Sequence, residues 1–209
     1  MNAKWVVGII AGIIGLGAIQ IIHTTARAEA GYAVTTKMVR VGQITVPKNT
    51  RVSVASQVTH NGQRYARVEM QRLRYQLRHQ TSRRYLTVPM QDLKATRRVA
   101  TDQFSQLKQR RVNYDTTQPV INVTTDGRVE MYRDGSVDNQ APAASAQITK
   151  SWRSGQTTVL TLKTSLARLT TAHTNQLKLR ANGAVANGTY DSYAVGPQRQ
   201  IYYVWTGLS

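Results

Sequence analysis

Asparagine–glycine and aspartate–glycine pairs punctuate this chain at Asn61-Gly62, Asp126-Gly127, Asn182-Gly183 and Asn187-Gly188. A type I′ turn needs positive φ at both central residues, and these pairs tolerate it best, so each commits its flanks to a hairpin. Those flanks are short and rich in β-branched residues, as strands are. Before the first pair lie Val39-Arg-Val41, Ile44-Thr-Val46 and residues 51–55 (RVSVA), separated by Gly42-Gln43 and Pro47-Lys-Asn-Thr50. Val52 and Val54 alternate with Arg51 and Ser53. After the turn, Ala66, Val68 and Met70 share one face of residues 63–70. Residues 85–93 (YLTVPMQDL) read as a strand that stops at Pro89 and turns into a short helical segment.

The second half repeats the pattern. Residues 120–123, 128–132, 147–152, 157–164, 176–180 and 200–205 are strand candidates, and 135–146 reads as a loop. Tyr203 and Trp205 share a strand face with Ile201, for which packing into the core is the favoured reading over a carbohydrate platform. Residues 96–117 are polar, lack glycine and carry Val99, Phe104 and Leu107 as a weak helical stripe, which predicts a linker or connecting helix. Residues 67–79 fit two periods. Met70, Leu73 and Leu77 have helical spacing, whereas Leu73, Tyr75 and Leu77 alternate. The favoured reading is a strand with an irregularity near Gln71, and the alternative is a basic amphipathic helix lying on a membrane.

Residues 1–30 predict export. Lys4 and the terminal amine precede eighteen uncharged residues, 5–22, and A-x-A patterns end at Ala28 and Ala30, the expected signal cleavage sites. The uncharged run also approaches the length of a bilayer span, so an uncleaved membrane anchor is the alternative. The chain has no cysteine, which excludes disulfides, thiol catalysis, cysteine-bound metals and lipoprotein anchoring. The expected division is a signal peptide over 1–30, a basic β domain over 31–98, a linker over 99–118 and a second β domain over 119–209.

The order of pieces over residues 33–97 resembles a small bacterial SH3-like barrel of the type found in wall-associated proteins. Val46-Pro-Lys-Asn-Thr50, the Asn61-Gly62 hairpin, Arg64-Tyr65-Ala-Arg-Val68 and the closing stretch 85–93 carry the resemblance. Residues 71–84 depart from it, with five arginines where a short loop is common. The resemblance implies a small SH3-like barrel for the first half. The regular spacing of short strands in the second half suggests a second β-barrel or sandwich, and residues 5–22 an N-terminal hydrophobic helix, so the expected fold is mostly β. Together with the leader and the absence of cysteine, the resemblance also implies an exported envelope protein of Gram-positive type.

Net charge is +18, with arginine outnumbering lysine 20 to 8. Residues 31–118 hold 17 basic and 4 acidic residues against 9 and 5 in 119–209. Guanidinium groups bind phosphate or carboxylate through paired hydrogen bonds, which an ammonium cannot do. The expected polyanion-binding site is Arg64, Arg67, Arg72, Arg74, Arg78, Arg83 and Arg84, with Tyr65, Tyr75 and Tyr85 as candidate stacking rings. For each tyrosine taken singly, core packing is the favoured reading, whereas for the arginines together binding is favoured.

No catalytic constellation is visible. His60, His79 and His173 have no metal-ligand spacing, and neither a GxSxG elbow nor an SxxK pair is present. Asp126, Glu130, Asp134 and Asp138 recur every four residues but lack the arrangement of a calcium loop, and are expected to be solvated charges on a hairpin. The expectation is a non-enzyme with neither cofactor nor metal. Its expected partner is an anionic cell-wall polymer or anionic membrane surface, with nucleic acid as the alternative.

Overall fold

The computed structural model describes residues 31–111, 118–135, 137, 140–171 and 174–206. The expected signal peptide, with its cleavage sites at Ala28 and Ala30, lies outside the described residues, as do Asp138 and His173. Among the described residues no helix is long and apolar enough to cross a membrane.

The first half is an antiparallel sheet of five strands. They are β1 (Gly31–Thr35), β4 (Arg51–His60), β5 (Gln63–Glu69), β6 (Tyr85–Pro89) and β7 (Leu93–Thr96), in the order β6-β5-β4-β1-β7. Between β1 and β4 the chain makes a separate hairpin, β2 (Val39–Val41) with β3 (Ile44–Val46). Its turn is held by Gly42 at φ 59°. Asn61 and Gly62 both take positive φ, 48° and 74°, and join β4 to β5 as their sequence predicts. The core face carries Val52, Val54, Ala66, Val68, Leu86 and Val88, all buried, and the hairpin adds Val39, Ile44 and Val46.

The second half is a closed barrel. Its strands are β8 (Leu107–Lys108), β9 (Val120–Val123), β10 (Arg128–Tyr132), β11 (Ala144–Ser154), β12 (Thr157–Leu162), β13 (Gln176–Val185), β14 (Tyr190–Val195) and β15 (Gln200–Trp205). Antiparallel pairing runs in chain order from β9 to β15, and β8 closes the ring between β15 and β9. An eight-stranded barrel has an interior just wide enough for side chains to fill. Here Phe104, Leu107, Ile121, Val129, Leu160, Leu177, Leu179 and Tyr202 fill it, with Phe104 edge-on to Tyr193 at 5.1 Å.

Several expectations are corrected. Over its described residues, up to 111, the expected linker or connecting helix holds instead a 3-10 turn, Ala100–Gln103, followed by Phe104 and Leu107 in the barrel core and by barrel strand β8. The segment after β5 is neither a strand nor an extended amphipathic helix. It holds a 3-10 turn, Met70–Arg72, and one helical turn, α1 (Tyr75–Arg78). The apolar residues Met70, Leu73 and Leu77 point into the core rather than to a membrane. Asn182-Gly183 makes no turn: it lies inside β13, where Gly183 at φ 108° sits at a register shift against β14.

Candidate functional site

Residues 70–78 are where the sheet meets the barrel, and the sequence of that joint explains where the arginines go. A first helical turn leaves N–H groups without intrahelical partners. At α1 they donate to barrel carboxylates: Arg74 N to Asp126 Oδ1 at 2.9 Å and Tyr75 N to Glu130 Oε1 at 2.7 Å. Just upstream, the Arg72 carbonyl accepts from both the backbone N–H and the hydroxyl of Thr125.

Arg78 completes the joint. Its Nη1 donates to Glu130 Oε2 at 2.9 Å and to the Leu73 carbonyl, while Nη2 donates to the Tyr132 hydroxyl and the Val137 carbonyl. The Arg78 side chain is 4% exposed and that of Glu130 is fully buried. Tyr132 donates in turn to Glu130 Oε2 at 2.8 Å. Burial, then the Glu130 charge, pushes the Tyr132 phenol well above its usual range, so it stays a donor. A second clasp lies nearby. Arg51 of β4 grips Asp102 through two bonds of 2.5 and 2.7 Å, and Arg72 Nη2 donates to the Asp102 carbonyl at 2.7 Å. Asp102 also accepts from Val99 N, the cap of the 3-10 turn.

The predicted arginine site therefore divides. Arg78 is corrected from a surface binder to a buried structural residue. Arg74, beside Asp126 at 3.3 Å, and Arg72 are partly buried and engaged in the joint. Arg64, Arg67, Arg83 and Arg84 are exposed. The hairpin carboxylates are corrected as well. Asp126 and Glu130 are not solvated but buried against arginines, and burial holds the Asp126 carboxyl above its ordinary value. No group of residues able to hold a metal occurs among the described residues.

The predicted tyrosines are half-buried, and their rings have partners within the chain. Tyr75 stacks on His79 at 4.8 Å. Tyr85 carries Arg67 and Arg84 over its ring at 4.4 and 5.3 Å, and the Tyr65 hydroxyl donates to Gln63. Cations held over a ring stay solvated at one side while their stems cover apolar surface.

A different aromatic set borders the arginines. In β15 the inward residues are Tyr202 and Val204, so Ile201, Tyr203 and Trp205 face out, and Trp205 is 58% exposed. This overturns the core-packing expectation for Tyr203 and Trp205: strand parity was legible, but which face met the barrel interior was not. Tyr190 of β14 is the cross-strand partner of Trp205. Tyr203, with Arg111 over its ring at 5.5 Å, pairs with Lys108 of β8.

These rings form one wall of a cleft of about 450 Å³ between sheet and barrel. Arg72 and Arg84 reach it from the sheet side, Lys108 and Arg110 from the barrel side. Glu69 also lines it, its Oε2 accepting from the Ser53 hydroxyl at 2.7 Å. The arrangement can hold a ligand that offers both negative charge and a flat or polyhydroxylated surface. No family model matches this chain, and neither a curated protein nor a solved structure is significantly similar to it.

Proposed function

We propose that the protein is an exported, non-enzymatic binder of anionic cell-envelope polymers, teichoic-type phosphate polymers among them. The observation that carries this reading is the cleft that sets Arg72 and Arg84 opposite Tyr190, Tyr203 and Trp205. The excess of basic residues over 31–118 supports it, because charge of one sign around a concave surface concentrates a polyanion there. The predicted leader places the polymer outside the cytoplasm.

An SH3-like first half is part of the same reading. It is supported by the order β6-β5-β4-β1-β7, by the hairpin inserted between β1 and β4, and by the 3-10 turn Met90–Asp92 that precedes the last strand. Sheet and barrel then act together, since each supplies one wall of the cleft.

The second reading is a nucleic-acid-binding protein, favoured by exposed Trp205 beside cations, which is also how bases are stacked. The test is binding of the full chain to isolated cell envelopes at rising salt, before and after the phosphate polymers are stripped. Binding that falls steeply with salt and is lost on stripping supports the proposal; undiminished binding to stripped envelopes overturns it.

A further inference from the structure

A second concavity, of about 420 Å³, adjoins the first, and Gln71 and Arg84 line both. The two have different chemistry. The second is walled by Arg83, Arg84, His79 and the hydroxyl residues Thr81 and Ser82. Among the described residues lining it the one aromatic ring, His79, is already stacked on Tyr75. The first contains the rings of β14 and β15 and the Glu69 carboxylate, with the cations Arg72, Lys108 and Arg110 around them besides the shared Arg84.

We infer that the two are adjacent subsites of one groove for a phosphate-bearing glycan, in which phosphodiesters alternate with neutral sugar rings. This rests on the polyanion-binding reading above and names its ligand class. The phosphodiester lies against Arg83 and Arg84, where guanidinium forks and hydroxyl groups can bond its oxygens. The neutral sugar lies over Trp205 and Tyr190, neighbours across the β14–β15 ladder, whose apolar ring faces suit the C–H face of a sugar. Glu69 sharpens the choice. A carboxylate in the first subsite accepts sugar hydroxyl hydrogen bonds and disfavours a phosphate set directly beside it, though Arg72, Lys108 and Arg110 also line that cleft. A polymer with phosphate on each unit, nucleic acid included, sets one beside Glu69. Arg84, shared by both subsites, fixes the spacing between charge and ring.

The test measures binding of the full chain by calorimetry to four probes. They are a synthetic oligosaccharide with two neutral hexoses per phosphodiester, its unphosphorylated counterpart, poly(glycerol phosphate), and single-stranded DNA of equal charge. For the phosphorylated oligosaccharide, Arg83→Ala/Arg84→Ala weakens binding by at least about tenfold, the worth of one charge-assisted contact. Trp205→Ala weakens it by about tenfold, a typical stacking contribution. For the unphosphorylated counterpart only Trp205→Ala has an effect. Glu69→Gln tightens DNA and poly(glycerol phosphate) but not the phosphorylated oligosaccharide. Unchanged binding in Trp205→Ala, with the arginine variant still impaired, overturns the two-subsite groove while leaving polyanion binding standing. DNA binding tighter than the phosphorylated oligosaccharide overturns it in favour of nucleic acid. Failure of the wild-type chain to bind any of the three anionic probes overturns the broader reading as well.

Discussion

Arg78 and Glu130, fifty-two residues apart, meet at 2.9 Å with almost no exposure of either side chain. Two charges leave water there because both terminal nitrogens of the guanidinium and both carboxylate oxygens are met, by Leu73, Val137, Tyr132 and Tyr75 as well as by each other, although Arg78 Nε has no partner among the described residues. Removing one partner strands the other. Arg78→Ala is expected to lower the unfolding free energy by about 3–5 kcal/mol in urea titrations. Exposed Arg64, bonded among the described residues to Gln57, gives a change within about 0.5 kcal/mol when replaced by Ala. Equal small effects at both positions would show that Arg78 does not clasp sheet to barrel.

Asp126 gives the joint a pH dependence. Burial, partly offset by Thr124 and Arg74, holds its carboxyl above the ordinary 3.8. Between 3.8 and its folded value, the folded protein therefore holds a proton that the unfolded chain has lost. Stability from this group is greatest at low pH and declines as pH rises through that window. Asp126→Asn keeps an acceptor for Arg74 N and removes the titration. Unfolding titrations from acid to neutral pH are expected to show the wild-type minus variant difference falling with pH, then levelling. A difference that grows with pH contradicts the burial argument.

Gly196 limits what the turn after β14 accepts. Its φ is 70°, and a Cβ there would sit 2.9 Å from the Leu169 carbonyl oxygen. Gly196→Ala is expected to cost about 1–3 kcal/mol, from left-handed strain compounded by the clash. Gly42 has a similar φ of 59° in open space. Gly42→Asn, suited to that region, is expected to cost less than about 1 kcal/mol. Thermal unfolding of the two variants compares them directly, and equal losses would mean that the Leu169 approach is immaterial.

Trp205 separates binding from folding. It is 58% exposed and on the outer face of β15, so Trp205→Ala should change stability by less than about 0.5 kcal/mol. The same variant is expected to lose affinity for the phosphorylated oligosaccharide. A matched loss of stability would assign Trp205 to packing instead.

Most strands were legible because turn chemistry and alternation are local. Val39–Val41, Ile44–Val46 and Arg128–Tyr132 fall where their sequences place them. The joint was not legible. Residues 67–79 offer two periods, and the choice was made by tertiary contacts: barrel residues Asp126 and Glu130 receive the N–H groups of Arg74 and Tyr75, and so hold a helical turn that its arginine-rich sequence does not announce. The same contacts turned Arg78 inward. β8 escaped because two residues, Leu107 and Lys108, carry no period, and closure of the barrel decides their conformation. Of the predicted site, Arg72 and Arg84 line the first cleft and Arg83 the second. Its aromatic wall came from Tyr190, Tyr203 and Trp205, over a hundred positions away, and the only signal for it was the odd-numbered face of residues 200–205.

The most direct measurement follows the tryptophan indole N–H signals by NMR as phosphorylated oligosaccharide is added to the full chain. Trp205 borders the cleft, whereas Trp152 lies on β11 beside Lys150. A site in the cleft predicts that the Trp205 signal shifts saturably, with the Trp152 signal unmoved and the midpoint moved to at least about tenfold higher concentration in Arg83→Ala/Arg84→Ala. Saturable binding that leaves Trp205 unmoved would contradict it.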